Sequence, residues 1–258
     1  MVSTRTRLAA ALAVAALLLA ACGDDTTSSS GSSGSAGEIK VFAAASLTAA
    51  FTELGQRYTA AEGTKVTFNF AGSQALATQV RQGAPADVFA SADIPNMDKV
   101  KDLVDTPRNF ASNRLQIVVE QGNPKDIKSL QDLANPDLKV VLAAPEVPAG
   151  KYARQVLDQA GVTVGPVSQE DNVKAVVTKV SLGEADAGIV YVTDVAAGGD
   201  KVEGVDIPRD RNVTATYPIA TVKATKAPEA AQAFMDLVLS AEGRQVLKEY
   251  GFLPPPTT

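Results

Sequence analysis

The chain has 258 residues, 45% of them hydrophobic, 21% charged and 5% aromatic, with one Cys, no His and no Trp. That inventory excludes a Cys/His zinc centre, a Ser-His-Asp triad and a disulfide framework, and the ordinary apolar content excludes collagen and bulk disorder. A net charge of −5 leaves no basic footprint for nucleic acid, and any bound anion must be held by local dipoles, not by the overall field.

The start reads as a secretory leader: a basic stretch with Arg5 and Arg7, then the apolar run Leu8–Ala21, too short to span a bilayer as a helix. Leu19-Ala20-Ala21-Cys22 resembles the lipobox of bacterial lipoproteins. The resemblance implies a signal peptide over 1–21, cleavage before Cys22 and lipid on its thiol. The expected location is then the cell membrane, lipid-anchored on the extracytoplasmic face. Residues 22–37 continue as a Gly/Ser linker with no apolar side chain larger than Ala beyond the Cys, a flexible tether.

From residue 38 apolar runs of strand length alternate with segments of helical period. Ile39–Ala44, Lys65–Phe70, Asp87–Ala90, Leu115–Val119, Lys139–Ala144, Ala187–Tyr191 and Tyr217–Val222 read as strands. Leu47–Ala61, Gln74–Gln82, Ile94–Leu103, Lys151–Ala160, Val173–Leu182, Glu229–Leu239 and Ala241–Tyr250 read as helices. Ser46, Ser73, Asp171 and Ser240 stand where N-caps are expected, Pro228 suits a first helical turn, and Gly63, Gly83, Gly161, Gly183 and Gly251 follow helical stretches. The alternation predicts an α/β fold of parallel sheets with crossover helices, and Pro254–Pro256 reads as a frayed tail.

Val41-Phe42-Ala43-Ala44-Ala45-Ser46-Leu47-Thr48 resembles the opening of periplasmic molybdate-binding proteins, the receptors of molybdate ABC transporters. Phe70–Ala77, Gly83–Phe89, Ser91–Asp93, Val147–Gly150, Asp171–Val173, Gly188–Tyr191 and Lys248–Phe252 agree with that family in order and spacing. The resemblance implies a type II periplasmic-binding-protein fold: two α/β lobes, a two-segment hinge and a ligand in the interlobe cleft. By analogy lobe 1 is 38–116 plus 217–258, and lobe 2 is 117–216. Molybdate or tungstate is the implied ligand, with no cofactor. The implied partners are a permease with its ATPase, and the protein is expected to be a monomer.

A tetrahedral dianion needs many hydrogen-bond donors, and helix N-termini supply them because their first N–H groups lack intrahelical partners. Ala45-Ser46, Gly72-Ser73, Ala149-Gly150 and Asn172-Val173 are strand-to-helix junctions of that kind. The family's ligand positions fall on Ser46, Ser73, Ala149, Val173 and Tyr191. Read without the family, the serines are also plain N-caps, Val173 a core residue and Tyr191 a core tyrosine. One departure stands out: many relatives carry a run of serines before the second ligand helix, whereas here Gly72 and Gln74 flank Ser73.

Asp87 and Asp93 read as caps or strand ends, not as a metal site, and Glu170-Asp171 as a first-turn charge and cap. No catalytic group is expected: there is no His, and no Ser/Thr-x-x-Lys precedes any Lys. Molybdenum would be held only as its oxyanion. The alternative expectation is a receptor for sulfate or a small organic anion.

Overall fold

A computed structural model describes residues 37–256. The expectations for the leader, for Cys22 and its lipid, and for the tether up to residue 36 lie outside them. The described chain folds around one nine-stranded mixed sheet, with strands in the order β2-β1-β3-β9-β4-β7-β5-β6 and β8 on β4. The strands are β1 (Glu38–Ala44), β2 (Lys65–Ala71), β3 (Val88–Ala90), β4 (Arg108–Glu120), β5 (Val140–Ala143), β6 (Ser168–Glu170), β7 (Ala187–Tyr191), β8 (Val202–Asp206) and β9 (Thr214–Thr221). The helices are α1 (Thr48–Glu62), α2 (Ser73–Arg81), α3 (Ile94–Asp98), α4 (Pro148–Gln159), α5 (Val173–Ser181), α6 (Val192–Gly198), α7 (Pro228–Leu239) and α8 (Ala241–Glu249).

The expectation of purely parallel sheets holds for two groups only: β1 with β2 and β3, and β5 with β6 and β7. β9 runs antiparallel to β3, and β4 antiparallel to β7, β8 and β9. β4 carries the sheet from one group to the other. Its Arg108–Arg114 stretch pairs with β9, whereas Leu115–Val119 pairs with β7 and Gln116–Glu120 with β8.

The apolar faces of the helices close the core over this sheet. Around Phe51 of α1, which is fully buried, Phe110 of β4 and Phe234 of α7 sit 5.7 and 6.0 Å away, and Tyr58 adds its ring to Phe234 at 5.6 Å. Such tilted and edge-on pairs add to the burial of large aromatic area.

Three expected caps move. Ser46 lies inside a short 3-10 turn (Ala45–Leu47) that precedes α1, and Ser73 is the first residue of α2 after Gly72. Asn172, not Asp171, caps α5, because its side chain accepts the Ala175 N–H at 3.1 Å. Glu170 sits in β6 and pairs with Lys179 at 2.9 Å, so it is no first-turn charge. Ser240 caps α8 through the Gly243 N–H as expected, and Pro228 opens α7. The five helix-ending glycines all have positive φ. The C-terminal stretch is tied down as far as Pro254: Ser112 Oγ donates to its carbonyl at 2.7 Å, and Leu253 bridges to Ser112.

Candidate functional site

Strand-to-helix junctions from both parallel groups face one another across a small cavity. It is lined by residues 44–46, 71–73 and Ala92 on one side, and by residues 147–149, Val173 and Tyr191 on the other. The cavity has a volume of about 10 Å³, so the walls already stand close together. All five predicted ligand residues, Ser46, Ser73, Ala149, Val173 and Tyr191, lie in this lining, which contains no carboxylate, Lys or Arg.

Local chemistry at each helix start leaves donors unused. In α4, Pro148 is the first helical residue and has no N–H, so Ala149 and Gly150 supply the first unpaired N–H groups. Gly150 is there for space: a Cβ would stand 2.1 Å from the Ala144 carbonyl oxygen and 2.3 Å from that of Ala143, so only glycine lets α4 start this close to the end of β5. In α5 the Asn172 side chain takes the Ala175 N–H and leaves those of Val173 and Lys174 free. In α2, Gly72 offers no side chain to cap the first turn.

The two serine hydroxyls are pre-set. The Ala92 N–H donates to Ser73 Oγ at 3.0 Å, which occupies one lone pair and leaves the Ser73 proton available to a ligand. Ser46 Oγ pairs with Tyr217 Oη at 2.9 Å, and when Tyr217 donates, the Ser46 proton is likewise available.

Tyr191 ends β7, is 1% exposed, and its hydroxyl has no partner within hydrogen-bond distance among the described residues, with the Tyr217 phenol as its polar neighbour. Its ring stands 5.9 Å from that of Tyr217. Burial pushes both phenols well above their ordinary range, so each stays protonated and able to donate.

Sequence reasoning missed several neighbours. Tyr217 lies in a segment that reads as a strand, but nothing in local pattern shows that it would reach Ser46 from 171 residues away. Asp194, at the start of α6, falls in a segment with no assigned element. Buried almost completely, it accepts the Tyr191 N–H at 3.2 Å. Burial raises its carboxyl to about 7, moderated by that N–H and by Lys174. Gln74, a departure from the family's serines, spans the cavity's two sides: its Nε2 donates to the Asp171 carbonyl at 3.0 Å. Asp93 caps α3 by accepting the Asn96 N–H at 3.1 Å, as a capping role predicts. Among the described residues no cluster of three or more Cys, Asp or Glu could hold a metal ion.

Comparison with known proteins places the chain in a family. Residues 39–253 match the family model for bacterial extracellular solute-binding protein. The molybdate-binding protein ModA of Mycobacterium tuberculosis (strain H37Rv) is 45% identical over 258 residues, covering 98% of this chain and 99% of the relative. The periplasmic molybdate-binding protein of Azotobacter vinelandii superposes with a TM-score of 0.75 at 19% identity, covering 84% of this chain and all of that one. The sulfate-binding protein SubI of Mycobacterium tuberculosis superposes at 0.73 and 22% identity, covering 84% and 87%. At those identities the two structures speak for the two-lobed periplasmic-binding fold alone, and the fold is shared by receptors of different anions. By its sequence and its fold, the chain belongs to the bacterial extracellular solute-binding proteins, a family of transport receptors and not of enzymes.

Proposed function

We propose that this protein captures molybdate, and tungstate as its near twin in size, and hands it to an ABC permease driven by an ATPase. Lobe 1 (38–116 plus 217–258) and lobe 2 (117–216) hold the anion between them through Ser46, Ser73, Ala149, Val173 and Tyr191. A lipid on Cys22 and the tether to residue 37 keep the monomeric receptor at the outer face of the membrane, and no cofactor takes part.

The observation that carries this reading is the Tyr191 hydroxyl. Among the described residues it is buried without a partner, in a cavity whose side-chain polar groups are otherwise serine hydroxyls and whose helix starts offer N–H groups. An unpaired buried hydroxyl costs about 1–3 kcal/mol, a cost a bound oxyanion removes. The lining also argues for the class of anion. Phosphate near neutral pH carries a proton and calls for an acceptor, whereas molybdate, tungstate and sulfate are fully deprotonated and call for donors only. No carboxylate lines the cavity. Sulfate is separated from molybdate by its shorter bonds to oxygen, and the identity to molybdate-binding relatives favours the larger ion.

Calorimetric titration with molybdate, tungstate, sulfate and phosphate tests the reading. The expected result is one site, with molybdate and tungstate bound far more tightly than sulfate and phosphate. Sulfate binding as tightly as molybdate would replace the ligand. Small-angle scattering should show a smaller radius of gyration on adding molybdate, because only the closed form makes every contact.

A further inference from the structure

Beside the cavity, an aspartate and a lysine from its opposite sides face each other. Asp93 lies directly after Ala92, which lines the cavity, and its side chain is 2% exposed. Its Oδ1 accepts from the Asn96 backbone N–H at 3.1 Å and from Asn96 Nδ2 at 2.8 Å. Its Oδ2 faces Lys151 Nζ at 3.8 Å. Lys151 is on the first turn of α4, two residues beyond Ala149, with its side chain 45% exposed. The Asp93 charge reaches the site: it raises the Tyr152 hydroxyl after the larger effect of burial, and it adds the smallest of several contributions, behind burial, Tyr217, Tyr152 and Asp194, at Tyr191.

A buried negative charge next to a cavity meant for a dianion opposes binding, since like charges at short range in a partly buried setting repel by more than thermal energy. We propose that Lys151 is a positioning residue that neutralises Asp93 across the cavity as the two sides close, and so makes the closed form tolerant of a dianion. This rests on the reading of the site as an oxyanion receptor. Lys151 is not among the residues lining the cavity. Its effect passes through Asp93, and through holding the start of α4 against the loop after β3. Separating the two sides breaks the contact, and Lys151, whose Nζ stands 5.6 Å from the ring of its neighbour Tyr152, is then an unneutralised local cation in an acidic protein, where it draws an incoming anion toward the mouth.

A charge cycle read by calorimetry and stopped-flow at low salt tests the proposal, using whichever of the four anions binds the parent most tightly. Lys151→Met should weaken binding about tenfold, through both slower association and faster dissociation. The ligand-free melting temperature should hold, since the open form does not make the Asp93 contact. Lys151→Arg should keep the parent's affinity, and Lys151→Glu should weaken it further than Met. In the Lys151→Met/Asp93→Asn double variant affinity should return to within about threefold of the parent, because the charge that needed neutralising is gone. Raising the salt should shrink the Lys151→Met effect. Lys151→Met within twofold of the parent overturns the proposal, as does a double variant no tighter than the single one. A parent that binds none of the four anions overturns the receptor reading and this proposal together, whereas a tightly binding parent with a silent Lys151→Met overturns this one alone.

Discussion

Replacing Tyr191 by Phe isolates one hydrogen bond at the centre of the proposed site. The ring stays, and with it the contact with Tyr217 at 5.9 Å and 65°. What leaves is a hydroxyl that is buried with its residue and has no hydrogen-bond partner among the described residues. Two effects then act in the same direction on affinity. The free protein is relieved of about 1–3 kcal/mol for an unsatisfied buried hydroxyl, and the bound protein loses a hydrogen bond to a charged oxygen worth about 1.5–3 kcal/mol. The second effect alone sets a lower bound: the dissociation constant for molybdate should rise by at least about one to two decades. The first adds to that rise and should also appear by itself, as a ligand-free melting temperature equal to or above the parent's. Calorimetry and thermal melting of the same sample read both. A dissociation constant within twofold of the parent would remove Tyr191 from the ligand set. A lower ligand-free melting temperature would show that the hydroxyl has a structural partner instead.

Ser73→Ala should behave differently, because Ser73 Oγ already accepts the Ala92 N–H at 3.0 Å. Affinity should fall about tenfold or more, and denaturant unfolding without ligand should show a loss of about 1–3 kcal/mol for the N–H left unpaired. Asp194 sets a pH dependence. Its carboxyl titrates near 7 in the fold against an ordinary 3.8, so between those values the native protein holds the extra proton. Stability therefore falls as pH rises from about 4 to about 7, by up to roughly 4 kcal/mol from this group, and levels off above. Asp194→Asn still accepts the Tyr191 N–H and should flatten that slope and raise the melting temperature at pH 8; an unchanged slope would assign the pH dependence to other groups.

The elements that the sequence revealed are those whose own side chains decide their state. β1, β5 and β7 are buried along nearly their whole length and read as apolar runs, while α5 and α8 show the period of a helix packed on one face. Those that stayed hidden take their state from a partner. β6 is the polar Ser168–Glu170, a strand only because β5 lies beside it, and β8 is Val202–Asp206, held by β4. The Arg108–Arg114 half of β4 is extended because β9 pairs with it, and no local signal could show that the pairing is antiparallel. The helix expected over Ile94–Leu103 stops at Asp98 and continues as tight turns, Val100 N–H to Met97 and Leu103 N–H to Val100, because several irregular turns share the helical apolar spacing.

The candidate site divides in the same way. The residue types at four helix starts, the closing tyrosine and the lack of His were all present in the linear chain, and with the family resemblance they marked a place for an oxyanion. Where these starts would meet was a matter of sheet order. Only the folded chain sets Tyr217 against Ser46, Ala92 against Ser73, Gln74 against Asp171 and Lys151 against Asp93. These pairs join residues 19 to 171 positions apart, and a hydrogen bond between such distant groups leaves no trace in local periodicity. Sequence determined which donors the protein has, and tertiary structure decided which of them remain unpaired around one cavity.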